Sequence, residues 1–311
     1  MKTYLERILP LKWLDSFFYD DINLSSFTTY SIGGKPLGVF ILKNHIDYIK
    51  LLNKLNTKLP YRIIGKGSNL LINDERVEFF ILTGKYRSIY FFEDEKVIRV
   101  FTTPFTELQY FIRKLISKGI GGYEELAAIP ASVGGAVFNN AGAKNVEISM
   151  YLKKVTFFDR IKKTVRTIEV DKSFFSYRNS FFKEECFNKG FYIDFLSFVF
   201  EFPKSNLSNP DLLKAKYDEV WKKRMITQPL NEKSCGSVFK NLPNLAAWQV
   251  ISMLGYKGFV LGGAKVSEKH ANFIINFNNA KFNDVYNIIN IIKQNSKKIG
   301  IELEEEVEIW K

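Results

Sequence analysis

The sequence predicts a mixed α and β chain divided into two or three domains. Its 311 residues are 46% hydrophobic, enough to bury large cores. No apolar run reaches the roughly 18 residues of a membrane span. Apolar residues recur at helical spacing in some stretches and alternate in others, so helices and strands follow one another along the chain. A shift to Pro, Asn and Ser over 203–210 marks a domain boundary.

Residues 1–22 carry an apolar stripe that predicts one or two helices, while Glu6, Pro10 and Asp15 break up any signal-peptide core. Gly33-Gly34-Lys35-Pro36 is a breaker before a strand at Leu37–Leu42. His45–Leu55 reads as an amphipathic helix that Pro60 ends, and Tyr61–Ile64 as a short strand. Gly65-Lys66-Gly67-Ser68-Asn69 follows, then the apolar run 70–72. A glycine-rich loop after a strand can cradle a phosphate through backbone N–H groups. Leu70 stands where a dinucleotide fingerprint has its third glycine, and an ordinary turn has the same composition. Strands are expected at Glu78–Leu82, Ser88–Phe92 and Val97–Thr102. Thr103 and Pro104 are suited to start a helix that Gly119 closes.

Gly121–Ala143, GGYEELAAIPASVGGAVFNNAGA, is crowded with glycine, alanine and serine in a chain otherwise rich in Phe, Ile and Lys. Side chains cleared in this way let a ligand or another backbone approach closely. Strands are expected at Tyr151–Phe158 and Val165–Val170, joined as a hairpin through Lys162-Lys163, and again at Phe191–Phe202. Arg178 lies in a turn among aromatic residues, as a surface charge or an anion clamp. Beyond the boundary, helices are expected at 211–225, 245–254 and 283–297, and strands at 258–266 and 272–277. Ile301–Trp310 reads as a final strand, whose alternation places Glu304, Glu306 and Glu308 on one face.

The net charge of +12 calls for an anionic partner or a soluble surface. Nucleic acid has that charge, but the basic residues are scattered and no nucleic-acid signature is present. Two cysteines and two histidines exclude a disulfide framework and a Cys/His zinc site. A reducing, cytoplasmic setting is expected.

Six stretches together resemble one family: GKGSNLLI at 65–72, AAIPASVGGAVFNNAGA at 127–143, YRNSFF at 177–182, SCGSVFKN at 234–241, GGAKVSEKHANFIIN at 262–276 and LEEEVEIW at 303–310. Their order is that of the UDP-N-acetylenolpyruvoylglucosamine reductases, also called UDP-N-acetylmuramate dehydrogenases, flavoenzymes of peptidoglycan synthesis. The chain resembles their shorter class, which lacks an inserted tyrosine loop. Ala131, Asn145 and Leu242 depart from the family pattern.

The resemblance implies an α+β fold. A helical lead-in over 1–32 would precede an FAD-binding region of the vanillyl-alcohol-oxidase type, made of two subdomains, over 33–202. A substrate-binding domain over 203–300 and a C-terminal strand over 301–311 would complete it. The implied FAD contacts are Gly65, Lys66, Gly67, Ser68, Asn69, Ile129, Ser132, Gly134, Gly135, Asn139 and Asn140. NADPH would supply hydride, and the substrate would be the enolpyruvyl ether of UDP-N-acetylglucosamine. Ser237 matches the proton donor, helped by Lys240 or a water chain. Arg178 matches the clamp on the substrate carboxylate, and Glu306 the third catalytic residue. Lys240, Asn241 and Arg224 match substrate contacts. Cys235 and His270 read as structural. A monomer without nucleic acid or membrane span is expected. The rival readings are a flavin oxidase of the same fold and a basic nucleic-acid-binding protein.

Overall fold

The longest alternating runs of the sequence pair with one another into a five-stranded antiparallel sheet, in the order Thr164–Glu169, Leu152–Asp159, Ile193–Pro203, Val97–Thr102, Ile89–Glu93. The computed structural model describes Leu5 and residues 17–55, 59–188 and 193–311. They divide into two compact units, and this sheet belongs to the first. That unit takes the described residues of Met1–Asp20 together with Gly38–Gly65 and Phe79–Trp221.

Period-two alternation turns Phe198, Phe200 and Phe202 of the central strand to one side, where they are fully buried. The stripe Leu108, Phe111, Ile112, Leu115 and Ile116 joins them in one core cluster. The Phe111 and Phe200 rings lie 5.0 Å apart. The first sheet of the unit is smaller, in the order Phe18–Tyr19, Gly38–Leu42, Phe80–Gly84, Tyr61–Ile63. Its last three strands are parallel, a pairing that needs a crossover. Helix α1 (His45–Lys54) lies in the connection between the strands at 38–42 and 61–63 and is capped by Asn44, whose side chain accepts from Asp47 N.

Further helices of this unit are α2 (Leu108–Ser117), α3 (Val133–Phe138), α4 (Phe181–Asn188) and α5 (Pro210–Thr227), of which α5 continues past the unit boundary. One expectation is corrected here. Helix α2 starts at Leu108 rather than Thr103, because Thr106 N donates to Thr103 O at 3.1 Å and closes a turn first. The helices expected over 1–22 lie mostly outside the described residues. Of those described, Leu5 and Phe17 are helical, and Phe18–Tyr19 is a strand antiparallel to Val39–Phe40.

The second unit is built from Asp21–Leu37, Lys66–Glu78 and Lys222–Lys311. Helices α6 (Ala247–Met253) and α7 (Phe282–Lys298) contribute to its core with a three-stranded antiparallel sheet, Val260–Leu261, Ala264–Val266, Ile274–Asn276. Leu70–Ile72 pairs in parallel with Glu308–Trp310. The two units therefore cross the boundaries expected at 33 and 203. The final strand is also shorter than expected: 301–307 is irregular, and only Glu308–Trp310 is β, so strict alternation of the glutamates does not hold. Among the described residues, no helix is long and apolar enough to cross a membrane.

A buried ion pair joins the two sheets of the first unit. Asp194, on the central strand of the large sheet, is completely buried and accepts from Arg160 Nε at 2.8 Å and from Tyr61 Oη at 2.6 Å. The Arg160 guanidinium stacks 3.5 Å from the Tyr61 ring centre and also donates to the Tyr61 carbonyl. Burial, and secondly the Asp194 charge, push the Tyr61 hydroxyl far above its ordinary pKa, so it stays a donor. Removing one member of such a pair strands the other charge. We expect Asp194→Ala to cost about 3–5 kcal/mol in denaturant unfolding. Asp218→Ala, which breaks an exposed pair with Lys214, should leave the unfolding midpoint in place.

Candidate active site

In the second unit, the serine loop is shaped by the backbone that flanks it. Val238 N donates to Asn272 O at 2.8 Å, and Val238 O accepts from Glu306 N at 2.8 Å. Phe239 forms an antiparallel bridge with Glu305, and Lys240 N donates to Glu304 O. The buried Asn272 amide completes the frame. Its Oδ1 accepts from Phe239 N at 3.0 Å and its Nδ2 donates to Phe239 O at 2.8 Å. Ser237 and Glu306 are thereby held one peptide apart across this pairing. The Ser237 hydroxyl is half-buried and has no hydrogen-bond partner among the described residues.

The neighbouring glutamates separate by their partners. Glu304 pairs with Lys240 Nζ and Glu305 with Lys293 Nζ, each at 2.6 Å, and Glu308 accepts from the Trp310 indole at 2.7 Å. The expected support of Ser237 by Lys240 is therefore not what is found, since the ammonium is held by Glu304. Asn241 Oδ1 accepts from Ala247 N at the start of α6. Arg224 lies near the C-terminal end of α5. Burial pushes the Cys235 thiol up to about 12, and the nearby Glu306 carboxylate adds to that push. His270 is half-buried, its ring held below the usual imidazole range by burial, and its Nδ1 accepts from Asn272 N.

The loop 66–69 belongs to the same unit. Gly67 has φ +60°, and a Cβ there would meet Phe27 O at 1.9 Å, so this glycine answers to the protein's own backbone. Asn69 Nδ2 donates to Glu306 O at 3.0 Å, which ties the loop to the glutamate segment. The N–H groups of Gly67, Ser68 and Asn69 find no acceptor among the described residues. Lys66 is exposed.

The first unit holds the small-residue segment and Arg178. Ser132 caps α3, its Oγ accepting from Gly135 N at 3.1 Å. The two adjacent glycines differ. Gly134 is buried and a Cβ there would strike Pro104 at 2.9 Å, so the chain itself fills that space. Gly135 is exposed, and a Cβ there would meet only Ser132 Oγ at 3.3 Å. Gly65 lies against the same hydroxyl. The half-buried Gln109 side chain pins the preceding turn: its Nε2 donates to Leu126 O and Ile129 O, both at 2.9 Å, and its Oε1 accepts from Ala128 N and Tyr217 Oη. Ala128 is held at φ +62° by these bonds.

Arg178 sits at φ +54° in the two-residue turn between Phe175–Ser176 and Asn179–Ser180. Its guanidinium donates to Gly142 O at 2.7 Å and lies over the Tyr177 ring. Asn139 accepts from Lys183 Nζ through its Oδ1 and donates to Gly135 O through its Nδ2. The completely buried Asn140 donates to Glu147 Oε2 and Ser176 O, each at 2.9 Å. Gln109, Asn272, Glu147 and Lys183 were not singled out in the sequence. Each acts on a segment distant in sequence or on a loop of irregular backbone, and no local pattern encodes that.

Residues 36–167 match the family described as FAD binding domain, and residues 228–310 the one described as UDP-N-acetylenolpyruvoylglucosamine reductase, C-terminal domain. The chain is 36% identical over 295 residues to the UDP-N-acetylenolpyruvoylglucosamine reductase of Thermotoga maritima, covering 92% of this chain and 96% of that one. It is 35% identical over 290 residues to the reductase of the same name from Prochlorococcus marinus, with 92% and 96% covered. The crystal structure of the Thermus caldophilus UDP-N-acetylenolpyruvylglucosamine reductase superposes with a TM-score of 0.75 at 28% identity, covering 93% of this chain and 98% of that one. The fold class expected from the sequence, α+β with an FAD-binding region, is the one found.

The surroundings of Cys235 set a thiol test. A thiol titrating near 12 carries little thiolate at pH 8. Ellman's reagent at that pH should react with the half-buried Cys186 and reach Cys235 only on unfolding. Rapid reaction of both thiols in the folded protein would contradict the burial described.

Proposed function

The chain belongs to the UDP-N-acetylenolpyruvoylglucosamine reductases, and on that premise we propose that it reduces the enolpyruvyl ether of UDP-N-acetylglucosamine to UDP-N-acetylmuramate with NADPH and FAD. The observation that carries the mechanism is the Ser237 hydroxyl, without a partner among the described residues and held beside Glu306 through the Val238 carbonyl.

The residues present fit FAD. The N–H groups of Gly67, Ser68 and Asn69 are available to a pyrophosphate. At Gly135 an exposed backbone lacks the side chain that would keep a flat ring away. Gly65, Lys66, Ser132, Ile129 and Asn139 are assigned to the cofactor as well, whereas the space beside Gly134 is taken by Pro104. When bound, FAD supplies the chemistry of hydride transfer from NADPH to C3 of the enolpyruvyl group.

The chain's own residues supply the rest. Addition at C3 builds negative charge on C2 and the adjoining carboxylate, and a proton must reach C2. Ser237 Oγ donates it. A serine hydroxyl is a weak acid, so its effectiveness depends on being held in place and on a low-dielectric setting. Arg178 holds and polarises the carboxylate with a planar fork that lysine cannot copy. Glu306, whose backbone N–H is held by the Val238 carbonyl one peptide from Ser237, places its carboxylate beside the reacting carbons. Lys240, Asn241 and Arg224 are assigned to the UDP-sugar.

Two measurements test this reading. The purified protein should show flavin absorption bands in the visible range; a colourless protein that takes up no FAD would refute it. In Ser237→Ala, reduction of the flavin by NADPH should stay near the wild-type rate. Its reoxidation by the enolpyruvyl substrate should slow by about 10²–10⁴-fold, as loss of a general acid does. Equal slowing of both halves would show that Ser237 only supports the loop.

A further inference from the structure

We propose that Asn140 is a positioning residue for Arg178, which its side-chain amide sets in place for the substrate carboxylate, and that it does not touch the cofactor. The proposal rests on the reading of Arg178 given above. Both hydrogens of the Asn140 amide are committed within the protein, one to Ser176 O and one to Glu147 Oε2, and the residue is completely buried. It has no donor left for a flavin, and its Oδ1, though without a partner among the described residues, is buried from solvent.

What those two bonds join matters. Ser176 is the last residue before the turn that carries Arg178, and it pairs with Asn179 just beyond it. Glu147 pairs with Gly142 in the short hairpin Gly142–Ala143 with Val146–Glu147, and Gly142 O receives the Arg178 guanidinium. One amide thus fixes both the base of the arginine turn and the hairpin on which the guanidinium rests. Arg178 needs such support, because a non-glycine residue at φ +54° is strained and stays there only when its surroundings impose it. Neighbouring residues extend the attachment. Ser180 Oγ donates to Phe138 O at 2.7 Å and Lys183 Nζ to Asn139 Oδ1 at 2.9 Å. A Cβ on Gly142 would meet Arg178 Nη1 at 3.1 Å, so the guanidinium packs close to that backbone.

The test uses the FAD-loaded enzyme. Asn140 has φ +44°, so Asn140→Gly removes the amide without straining the backbone. It should keep its flavin spectrum and its rate of flavin reduction by NADPH, while KM for the enolpyruvyl substrate rises about tenfold, the equivalent of a lost hydrogen bond. In an Arg178→Lys background the same change should raise KM no further. Asn140→Asp, which sets a second carboxylate against Glu147, should show the same defect. Adding Glu147→Gln, whose amide can donate to the new carboxylate, should recover part of it. If Asn140→Gly does not fold, that swap, compared with Asn140→Asp alone, decides the matter. Loss of flavin, equal damage to both half-reactions, an additive effect with Arg178→Lys, or a swap without recovery would overturn the proposal. Failure of the wild-type flavin to be reoxidised by the substrate would instead sink the functional reading itself.

Discussion

Irregular backbone in a protein interior has to find partners for its N–H and C=O groups, and in this protein that requirement is met by buried or half-buried primary amides. Asn272 is the clearest case. The serine loop is not a strand, yet Phe239 has both backbone groups satisfied because one asparagine side chain donates to it and accepts from it. With Asn272 O also holding Val238 N, the orientation of Ser237 follows from a residue that comes after it in sequence. Gln109 does the same for the turn at 126–129, and Asn140 for the arginine turn. An amide suits this task because it offers both donors and acceptors in one plane.

Side chains that the sequence places among ligand contacts divide accordingly. Asn69, Asn140 and Asn241 each bond to the protein's own backbone, while the exposed face at Gly135 and the N–H groups at 67–69 are where backbone is left open. These polar side chains hold the open main chain in shape. A glycine-rich segment needs such supports more than any other, since it has few side chains of its own to pack.

Much of the fold was legible because its strands obey period two and its longer helices period 3.6. The runs at 97–102, 152–159 and 193–203 and the stripe of α2 appear at or within a few residues of their expected places. The failures have local causes. The start of α2 was misplaced because Thr103 and Pro104 form a capping pattern, while the Thr103–Thr106 turn takes up the first N–H. The tail at 301–307 looked like a strand because glutamate alternates there, but its pairing among the described residues is limited to a single bridge, Glu305 with Phe239. The ordered motifs made Arg178, Ser237 and Glu306 legible as candidates. What could not be read was which polar groups serve which loops, because Asn272 and Phe239, or Asn140 and Ser176, are brought together only by the folded backbone.

The parallel pairing of Leu70–Ile72 with Glu308–Trp310 has a consequence for how the protein is made. The glycine loop at 66–69 is translated well before the backbone that receives Asn69, at Glu306 and Glu308, with 237 residues between Asn69 and Glu306. Contacts of such sequence separation form slowly. Until Glu308–Trp310 has emerged, the 70–72 segment presents an apolar strand edge with no native mate. The second unit can close only once Glu308–Trp310 has been made.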